Sequence, residues 1–148
     1  MRVELATLQD IPRLCQLLKV LFGEEREFHY DEEKQTRGLG MILENPAIGQ
    51  IFVLKEEDYI IGMVSFLWSV STALGEKVAW LEDMVIDPAF QHKGYGKHLL
   101  KEALLEMKKA TCKRVTLLTD ATNIPAQTLY AHLGFEHSSM KAMRHFIL

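Results

Sequence analysis

The chain has 148 residues, of which 48% are hydrophobic and 25% charged, and its formal net charge is −3 at pH 7. This composition is typical of one ordinary globular domain over residues 1–148, and it excludes a disordered or fibrous chain. The negative charge argues against a general nucleic-acid-binding protein, because such proteins usually carry a basic excess that neutralises phosphates.

The cysteines and the apolar segments of the sequence indicate the cellular compartment of the protein. Cys15 and Cys112 stand in apolar or helical contexts without ligand spacing around them, so they are predicted to be buried thiols rather than a disulfide or a metal site. No stretch approaches the ~18 apolar residues of a membrane-spanning helix, and the opening MRVELATLQD lacks the apolar segment of a signal peptide. We therefore expect a cytoplasmic protein.

The first half of the chain predicts a strand, two helices and a pair of strands. MRVELA alternates like a strand, and TLQDIPRLCQLLKVLF has apolar residues at helical spacing after a cap at Thr7 or Asp10. A second helix is predicted after Asp31, where acidic residues suit the positive end of the helix dipole. IFVLKEEDYIIGMVSFLWSV then indicates two strands joined at residues 56–58, with Gly62 as a possible bulge.

The second half adds three strands and two helices. VAWLEDMVI and VTLLT are predicted strands, and a helix from residue 94 to about residue 109 lies between them. NIPAQTLYAHLGF predicts a capped helix that ends at Gly134, and MKAMRHFIL predicts a closing strand. The expected fold class is α/β (α+β mixed sheet), with a central mixed sheet of about six to seven strands and helices on both faces.

The stretch QHKGYGKHLL, residues 91–100, predicts a binding site for an anion. It follows a strand that ends at Ile86 and a turn at Asp87 and Pro88, and it enters a helix. The first N–H groups of a helix have no internal partners and lie at its positive end, while Gly94 and Gly96 let the backbone approach a bulky group. A phosphate or pyrophosphate is the expected ligand.

The sequence of this loop separates three classes of phosphate-binding motif. A P-loop requires GxxxxGK[ST], but a histidine follows Lys97 and Gln91 stands where the first glycine should be. A dinucleotide fingerprint requires GxGxxG, but Leu99 occupies the third glycine position. The acetyl-CoA pattern Q/R-x-x-G-x-G/A is satisfied by Gln91, Gly94 and Gly96.

Two longer segments carry a resemblance to a known family. LEDMVIDPAFQHKGYGKHLL resembles the central motif of the GNAT superfamily of N-acetyltransferases, and TDATNIPAQTLYAHLGF is similar to the segment that follows it there. The specific resemblance covers about residues 78–135. It implies a GNAT-like fold and an acetyl-CoA-dependent N-acetyltransferase, with acetyl-CoA as co-substrate.

The resemblance also implies which residues contact the cofactor. The third-strand backbone would pair with the pantetheine arm, the loop N–H groups would hold the pyrophosphate, and Tyr130 would face the thioester sulfur. Asn123 and Tyr130 also have simpler interpretations, as a helix cap and a core aromatic. The implied cofactor contacts are Met84, Val85, Ile86, Gln91, His92, Lys93, Gly94, Tyr95, Gly96, Lys97, Asn123, Ala126 and Tyr130.

Two acids, Glu82 and Asp83, lie inside the apolar strand WLEDMVI. Burying an unpaired carboxylate is costly or raises its pKa, so two in succession require an explanation. Because side chains alternate along a strand, they are expected to point to opposite faces. One is expected to form a salt bridge with a covering helix and the other to have a chemical role. Which of them faces the site stays open.

Amine acetylation requires a base more than an acid. An alkylammonium with a pKa near ~10.4 must lose a proton before it attacks, whereas a thiol with a pKa near ~8.5 leaves readily as thiolate. Glu82 has a counterpart in similar family members that acetylate polyamines. The resemblance therefore implies Glu82 as amine binder or general base, Tyr130 as acid, and the N–H of the Val85 region as oxyanion donor.

The segment GEEREFHYDEE, residues 23–33, holds six acids between the first two predicted helices, where the family places its acceptor-binding loop. If it lines the pocket, it favours a cationic acceptor such as a polyamine, a lysine or an amino sugar. A solvated charged surface is the alternative. The predicted substrate contacts are Glu27, Tyr30, Glu82 and Asp83. His29 and His92 lack metal-ligand spacing, so no metal is expected.

The leading hypothesis is an enzyme that transfers an acetyl group from acetyl-CoA to a small primary amine by direct attack. One alternative is a protein acetyltransferase that acts on a lysine or an N-terminus. Another is a module that binds an acyl-CoA without turnover. The expected partner is a small-molecule amine, with no nucleic acid and no membrane, and a homodimer is possible.

Overall fold

A computed structural model describes residues 1–25 and 27–148 of the protein. The described chain forms two compact units, Met1–Leu117 and Leu118–Leu148. That both belong to one domain over residues 1–148 stays a prediction.

A mixed β-sheet makes up the centre of the first unit. The helices and strands of this unit are β1 (Arg2–Leu5), α1 (Ile11–Glu24), α2 (Glu32–Leu43), β2 (Gly49–Glu56), β3 (Tyr59–Ser71), β4 (Glu76–Ile86), α3 (Tyr95–Lys109) and β5 (Val115–Leu117). The five strands lie side by side in chain order. Strands β1 to β4 are antiparallel neighbours, and β5 runs parallel to β4. The predicted mixed sheet is confirmed, with fewer strands than expected.

The two N-terminal helices begin where the sequence predicts. A short 3₁₀ turn, Leu8–Asp10, precedes α1, and the Asp10 carboxylate accepts a hydrogen bond from the Thr7 N–H at 2.8 Å. The Asp31 side chain caps α2 by accepting from the Lys34 N–H at 3.3 Å. Such caps satisfy N–H groups that lack a partner inside the helix, and each contributes about 1 kcal/mol. Across the described residues, no helix is long and apolar enough to cross a membrane.

Helices cover both faces of the sheet. A Cβ placed on Gly62 of β3 would lie 3.5 Å from Leu99 of α3, whereas the next residue, Met63, packs with α1 and α2. Because neighbouring side chains of a strand point to opposite faces, α3 lies on the face opposite α1 and α2. Each fully buried leucine contributes roughly 1.5–3 kcal/mol. The cluster under α1 and α2 contains Leu14, Cys15, Leu17, Leu18, Leu39, Ile51, Val53, Ile60, Met63 and Val85.

Two register shifts interrupt the sheet. Between β2 and β3 the pairing passes from Leu54↔Gly62 to Lys55↔Ile60, so the extra residue is Ile61, next to the predicted bulge at Gly62. Between β3 and β4 it passes from Val64↔Met84 to Phe66↔Leu81. Residues 82 and 83 of β4 therefore stand opposite the single residue 65 of β3. Such a β-bulge bends the strand and disturbs the regular alternation assumed for the two acids.

Both cysteines are free thiols, and the predicted burial holds for Cys15 but not fully for Cys112. Cys15 is buried, and its Sγ lies 3.4 Å from Thr36 Oγ1. Cys112 is half-buried, and its Sγ donates to the Arg114 carbonyl at 3.3 Å. Burial raises the pKa of the Cys112 thiol.

The second unit contains helix α4 (Ile124–His132) followed by a chain without regular structure. The helix ends near Gly134, whose φ of 92° is in the left-handed region that glycine adopts most easily. The predicted closing strand MKAMRHFIL is wrong, since residues 140–148 form no strand. Its large apolar side chains, Met143 and Phe146 among them, are exposed. An alternating pattern forms a strand only where a neighbouring strand accepts its hydrogen bonds, and the chain from 118 to 148 contains none.

We expect Gly62→Ala to destabilise the protein by about 1–2 kcal/mol, because overpacking forces neighbouring atoms to move. The new Cβ would lie 2.5 Å from Ile86 Cδ1 and 3.2 Å from the Val85 carbonyl oxygen. The matched control is Gly38→Ala in α2, where a Cβ meets nothing within 4 Å. That change should stabilise the helix by about 0.5–1 kcal/mol. Urea unfolding measures both, and equal stability of the two variants would contradict the packing described here.

Candidate functional site

The edge of β4 becomes free of β5 halfway along the strand. The parallel pairing runs through Ala79↔Val115, Trp80↔Thr116 and Leu81↔Leu117, and it ends where the bulge begins. Residues 84–86 continue to pair with β3 on their other side. Among the residues that the structure describes, this part of β4 has no strand partner on its β5 side. An extended ligand can add to such an edge as another strand does.

Alternation of hydrogen bonds identifies the groups on the free edge. The Asp87 N–H donates to the Ile61 carbonyl of β3 at 2.8 Å. Because the bonding direction alternates along an antiparallel pair, the Val85 N–H also faces β3, opposite Met63. Met84 and Ile86 therefore direct their backbone groups to the free edge. The Val85 N–H, expected as an oxyanion donor, is directed into the sheet.

The loop after β4 leads into the unprotected start of α3. The first bond within the helix runs from the His98 N–H to the Gly94 carbonyl at 3.1 Å. The preceding N–H groups, those of Tyr95, Gly96 and Lys97, have no acceptor inside the helix. Gly94 stands at the cap position and has no side chain that could bond to them. This end of a 15-residue helix is suited to an anion.

The backbone conformation of the loop and two basic side chains also favour binding of an anion. Gly94 has a φ of 82°, and His92 has a φ of 64°, which is uncommon for a residue with a Cβ. A Cβ on Gly94 would meet nothing within 4 Å, so the space beside the helix start is open. Lys93 and Lys97 are exposed nearby in the chain. Gln91 behaves differently from the expectation, since its Nε2 donates to the Ile86 carbonyl at 2.8 Å.

The two acids of β4 differ in their surroundings. Glu82 is exposed, whereas Asp83 is half-buried and its N–H donates to the buried Ser65 Oγ at 3.1 Å. Burial raises the pKa of Asp83 to about 7, and the negative charges of Glu82 and Glu25 act in the same direction. A carboxyl group with this pKa can accept or release a proton near neutral pH. Within residues 1–25 and 27–148 neither acid forms a salt bridge, so the bridge expected for one of them is not observed there.

Glu25 is a residue of this site that the sequence analysis did not single out. It stands at the C-terminal end of α1, where its N–H donates to the Phe22 carbonyl. The sequence feature that could have identified Glu25 is its position in the acidic segment. It follows directly after α1, a helix that packs against β4. Only the folded chain brings it near enough to Asp83 to act on the pKa of that residue.

The rest of the acidic segment, residues 23–33, divides between surface and core. Glu27 is exposed, and Asp31 is the cap of α2. Tyr30 packs against the cluster under α1 and α2, and burial, followed by the nearby Cys15, raises the pKa of its hydroxyl. Arg26 lies outside the described residues. Of the two substrate contacts predicted in this segment, Tyr30 therefore has a clear structural role.

The predicted residues of the second unit form local contacts. Asn123 caps α4, because its Oδ1 accepts from the Ala126 N–H at 3.2 Å. The Tyr130 ring lies 5.6 Å from the Phe135 ring, in a tilted arrangement. Both observations agree with the simpler interpretations, a helix cap and a packed aromatic. The cofactor and acid roles of these residues stay predictions.

Known proteins resemble the chain in sequence and in fold. The model of the acetyltransferase (GNAT) family matches residues 11–135. A spermine/spermidine N(1)-acetyltransferase of Bacillus subtilis is 42% identical over 125 residues, which are 80% of this chain and 68% of that protein. The N-alpha-acetyltransferase 30 of Xenopus laevis is 40% identical over 52 residues, and this stretch of the chain spans only 19% of that protein's length.

A solved structure of a possible acetyltransferase from Clostridium difficile 630 has the same fold, with a TM-score of 0.88 and 16% sequence identity over 99% of this chain and 97% of that one. Since the family model covers most of the sequence and the Bacillus subtilis relative is similar over four fifths of it, the chain belongs to the acetyltransferase (GNAT) family.

Proposed function

We propose that the protein transfers an acetyl group from acetyl-CoA to a primary amine, and that the amine is a small cation. The observation that supports this most is the free edge of β4 at Met84 and Ile86. It leads on one side to an anion-binding helix start and on the other to a half-buried carboxyl group. The strand edge and the helix start suit an extended, phosphate-bearing thioester. The carboxyl group suits a protonated amine.

In this proposal, the free edge of β4 and the loop after it hold acetyl-CoA. The Met84 carbonyl and the Ile86 N–H on the free edge pair with the pantetheine amides, and the pyrophosphate binds the N–H groups of residues 95–97. Lys93 and Lys97 add positive charge, and Gln91 holds the end of β4 through its bond to the Ile86 carbonyl. Asn123, Ala126 and Tyr130 remain proposed contacts that rest on the family resemblance alone.

The acceptor is proposed to be a polyamine-like cation. The negative charges of Glu82 and of Glu25 both act on the Asp83 carboxyl group. Their mutual repulsion is relieved when a positive charge enters, so the cluster favours a cationic acceptor over a neutral or anionic one. The Bacillus subtilis relative carries a name that specifies spermine and spermidine.

The raised pKa of Asp83 favours it as the general base. Moving a proton from an ammonium of pKa ~10.4 to an aspartate of ordinary pKa ~3.9 is uphill by roughly 9 kcal/mol. With Asp83, whose pKa is about 7, the difference falls to roughly 5 kcal/mol. We therefore assign Asp83 as the general base and Glu82 as the amine binder. The family resemblance instead implied Glu82 as amine binder or general base.

The reaction then proceeds by direct attack. Asp83 accepts the ammonium proton, the free amine attacks the thioester carbon, and a tetrahedral oxyanion forms. The Met84 N–H, which faces the free edge, takes the place of Val85 as the donor to that oxyanion. Collapse breaks the carbon–sulfur bond, and the thiolate of CoA leaves or is protonated by Tyr130, the acid that the family resemblance implies. The second proton on the amine nitrogen passes to solvent or restores the Tyr130 hydroxyl, which leaves the neutral amide.

A protein N-terminus is the second candidate acceptor. The match to N-alpha-acetyltransferase 30 supports it, although it covers 35% of this chain. A peptide without positive charge near its amine does not use the carboxyl cluster, so relative rates on peptides and polyamines separate the two functions. Release of free thiol also separates both from an acyl-CoA-binding module without turnover.

Replacement of Gly94 should abolish acetyl-CoA binding. We expect acetyl-CoA to raise the Tm of the wild type by mass action, and Gly94→Leu to lose that shift because its side chain enters the open space at the helix start. Gly75→Leu is the matched control, since Gly75 has a φ of 64°, equally open space and a position in the turn at the opposite end of β4. Both variants carry a backbone cost of about 1–2 kcal/mol. A full Tm shift in Gly94→Leu would place the cofactor elsewhere.

The pH profile should identify Asp83 as the base. As pH rises through about 7, this carboxyl group loses its proton and becomes active, so the slope of log kcat/KM against pH should fall by one near pH 7. Asp83→Asn should lower kcat/KM by ~10²–10⁴ and remove the bend. Glu82→Gln should keep the bend while raising KM for the amine. The assignment is wrong if Glu82→Gln removes the bend and Asp83→Asn keeps it.

Binding of a cationic acceptor should release protons. A cation beside Asp83 lowers the pKa of its carboxyl, so spermidine should release about half a proton at pH 7, where the group is half protonated. Calorimetry on the CoA complex, in two buffers of different ionisation enthalpy, measures this number. Asp83→Asn should bind spermidine with no such release. Acetylation of an anionic amine as fast as spermidine would exclude the proposed acceptor class.

A further inference from the structure

We infer that Arg13 is a positioning residue for the cofactor: through Asp87 it holds the loop after β4 in the conformation that binds acetyl-CoA. This inference rests on the proposed use of that loop by acetyl-CoA. Helix α1 would then contribute to the affinity for acetyl-CoA, and no sequence motif in the loop indicates this.

The Arg13 side chain joins three parts of the first unit. From α1, its Nε donates to the Ile60 carbonyl of β3 at 2.9 Å, and its Nη2 donates to Asp87 Oδ2 at 2.6 Å. The guanidinium also lies over the Tyr59 ring, 4.6 Å from its centroid. Both charged groups are largely shielded, with side-chain exposures of 21% for Arg13 and 16% for Asp87. An ion pair with this burial and geometry is stronger than an exposed surface pair.

Asp87 uses all of its polar groups to fix the chain as it leaves β4. Its N–H donates to the Ile61 carbonyl at 2.8 Å, and its Oδ1 accepts from the Ala89 N–H at 2.9 Å. Its Oδ2 accepts from Arg13 and from the Tyr59 hydroxyl at 3.3 Å. The Arg13 guanidinium, followed by the bond from Ala89, holds the pKa of this carboxyl below its ordinary value. The charged form of Asp87 is therefore the form that the fold uses.

The contacts continue from this pair to the anion-binding helix start. The Phe90 N–H donates to the Asp87 carbonyl at 2.8 Å, which closes the short turn Pro88–Phe90. The Phe90 ring lies 6.1 Å from the Tyr59 ring and 6.4 Å from the ring of Tyr95, the first residue of α3. A change in the direction of the chain at Asp87 thus reaches the N–H groups of residues 95–97.

The geometry requires an arginine rather than any positive charge. The planar guanidinium bonds to Ile60 and Asp87 from different nitrogens while its face rests on Tyr59. A lysine can pair with Asp87 but cannot make the other contacts in the same position. Arg13→Lys therefore keeps the charge and removes the constraint. Asp87→Asn keeps an oxygen for the Ala89 N–H and removes the ion pair.

The test measures acetyl-CoA affinity against stability in matched variants. We expect Arg13→Lys and Asp87→Asn each to raise the Kd and the KM for acetyl-CoA by about tenfold, the size of one charge-assisted hydrogen bond. The KM for the amine and kcat at saturating acetyl-CoA should stay within about twofold of wild type, because the acids of β4 are unchanged. The double variant should bind about as well as the weaker-binding single variant, since both changes release the loop from the same constraint.

Lys55→Met is the control for a purely structural role. It breaks the Lys55–Glu4 pair between β2 and β1, which has a 2.8 Å separation and a lysine side chain 17% exposed. It should lower Tm and leave the Kd for acetyl-CoA unchanged. An unchanged Kd in both Arg13→Lys and Asp87→Asn, or an equal rise in Lys55→Met, would overturn the inference while wild-type binding still supports the proposed function. Absence of acetyl-CoA binding by the wild type would instead overturn both.

Discussion

The parting of β4 from β5 is the constraint on which the rest of the site depends. The two strands pair in parallel as far as Leu81, and the bulge at residues 82 and 83 opposite Ser65 follows directly. Backbone groups inside a sheet are normally paired with one another, so a free stretch next to a paired one requires a cause. Here β5 ends at Leu117, and the N–H of Asp83 in the adjacent bulge is satisfied by the Ser65 hydroxyl rather than by a carbonyl.

The same bulge contains the two acids of β4. It leaves Asp83 half-buried beside Glu82, and the end of α1 brings Glu25 close enough to add a third negative charge. Burial alone raises the pKa of a carboxyl group, and like charges raise it further. The fold thus produces a base that titrates near neutral pH from a residue type that is ordinarily ionised there. A positive acceptor completes the arrangement by compensating these charges.

The sequence predicts those parts of the fold that depend on local patterns. The apolar stripe of Leu99, Leu100, Ala103, Leu104 and Met107 indicated α3 almost to the residue, and the glycine pattern indicated an unprotected helix start at Gly94. Asp31 and Asn123 act as the predicted caps because capping needs only neighbours in the chain. Local patterns did not reveal the bulge, since its position depends on the register against β3. The closing strand failed for a related reason, because strand formation depends on a partner elsewhere in the chain.

Amide hydrogen exchange along β4 tests the central claim, that acetyl-CoA adds to the free edge of this strand. Exchange at Met84 and Ile86 should be fast in the free protein and slow when acetyl-CoA binds, because their N–H groups gain acceptors. Exchange at Val85 should be slow in both states, since its N–H already faces β3. Unchanged exchange at Met84 and Ile86 in a saturated complex would contradict the account.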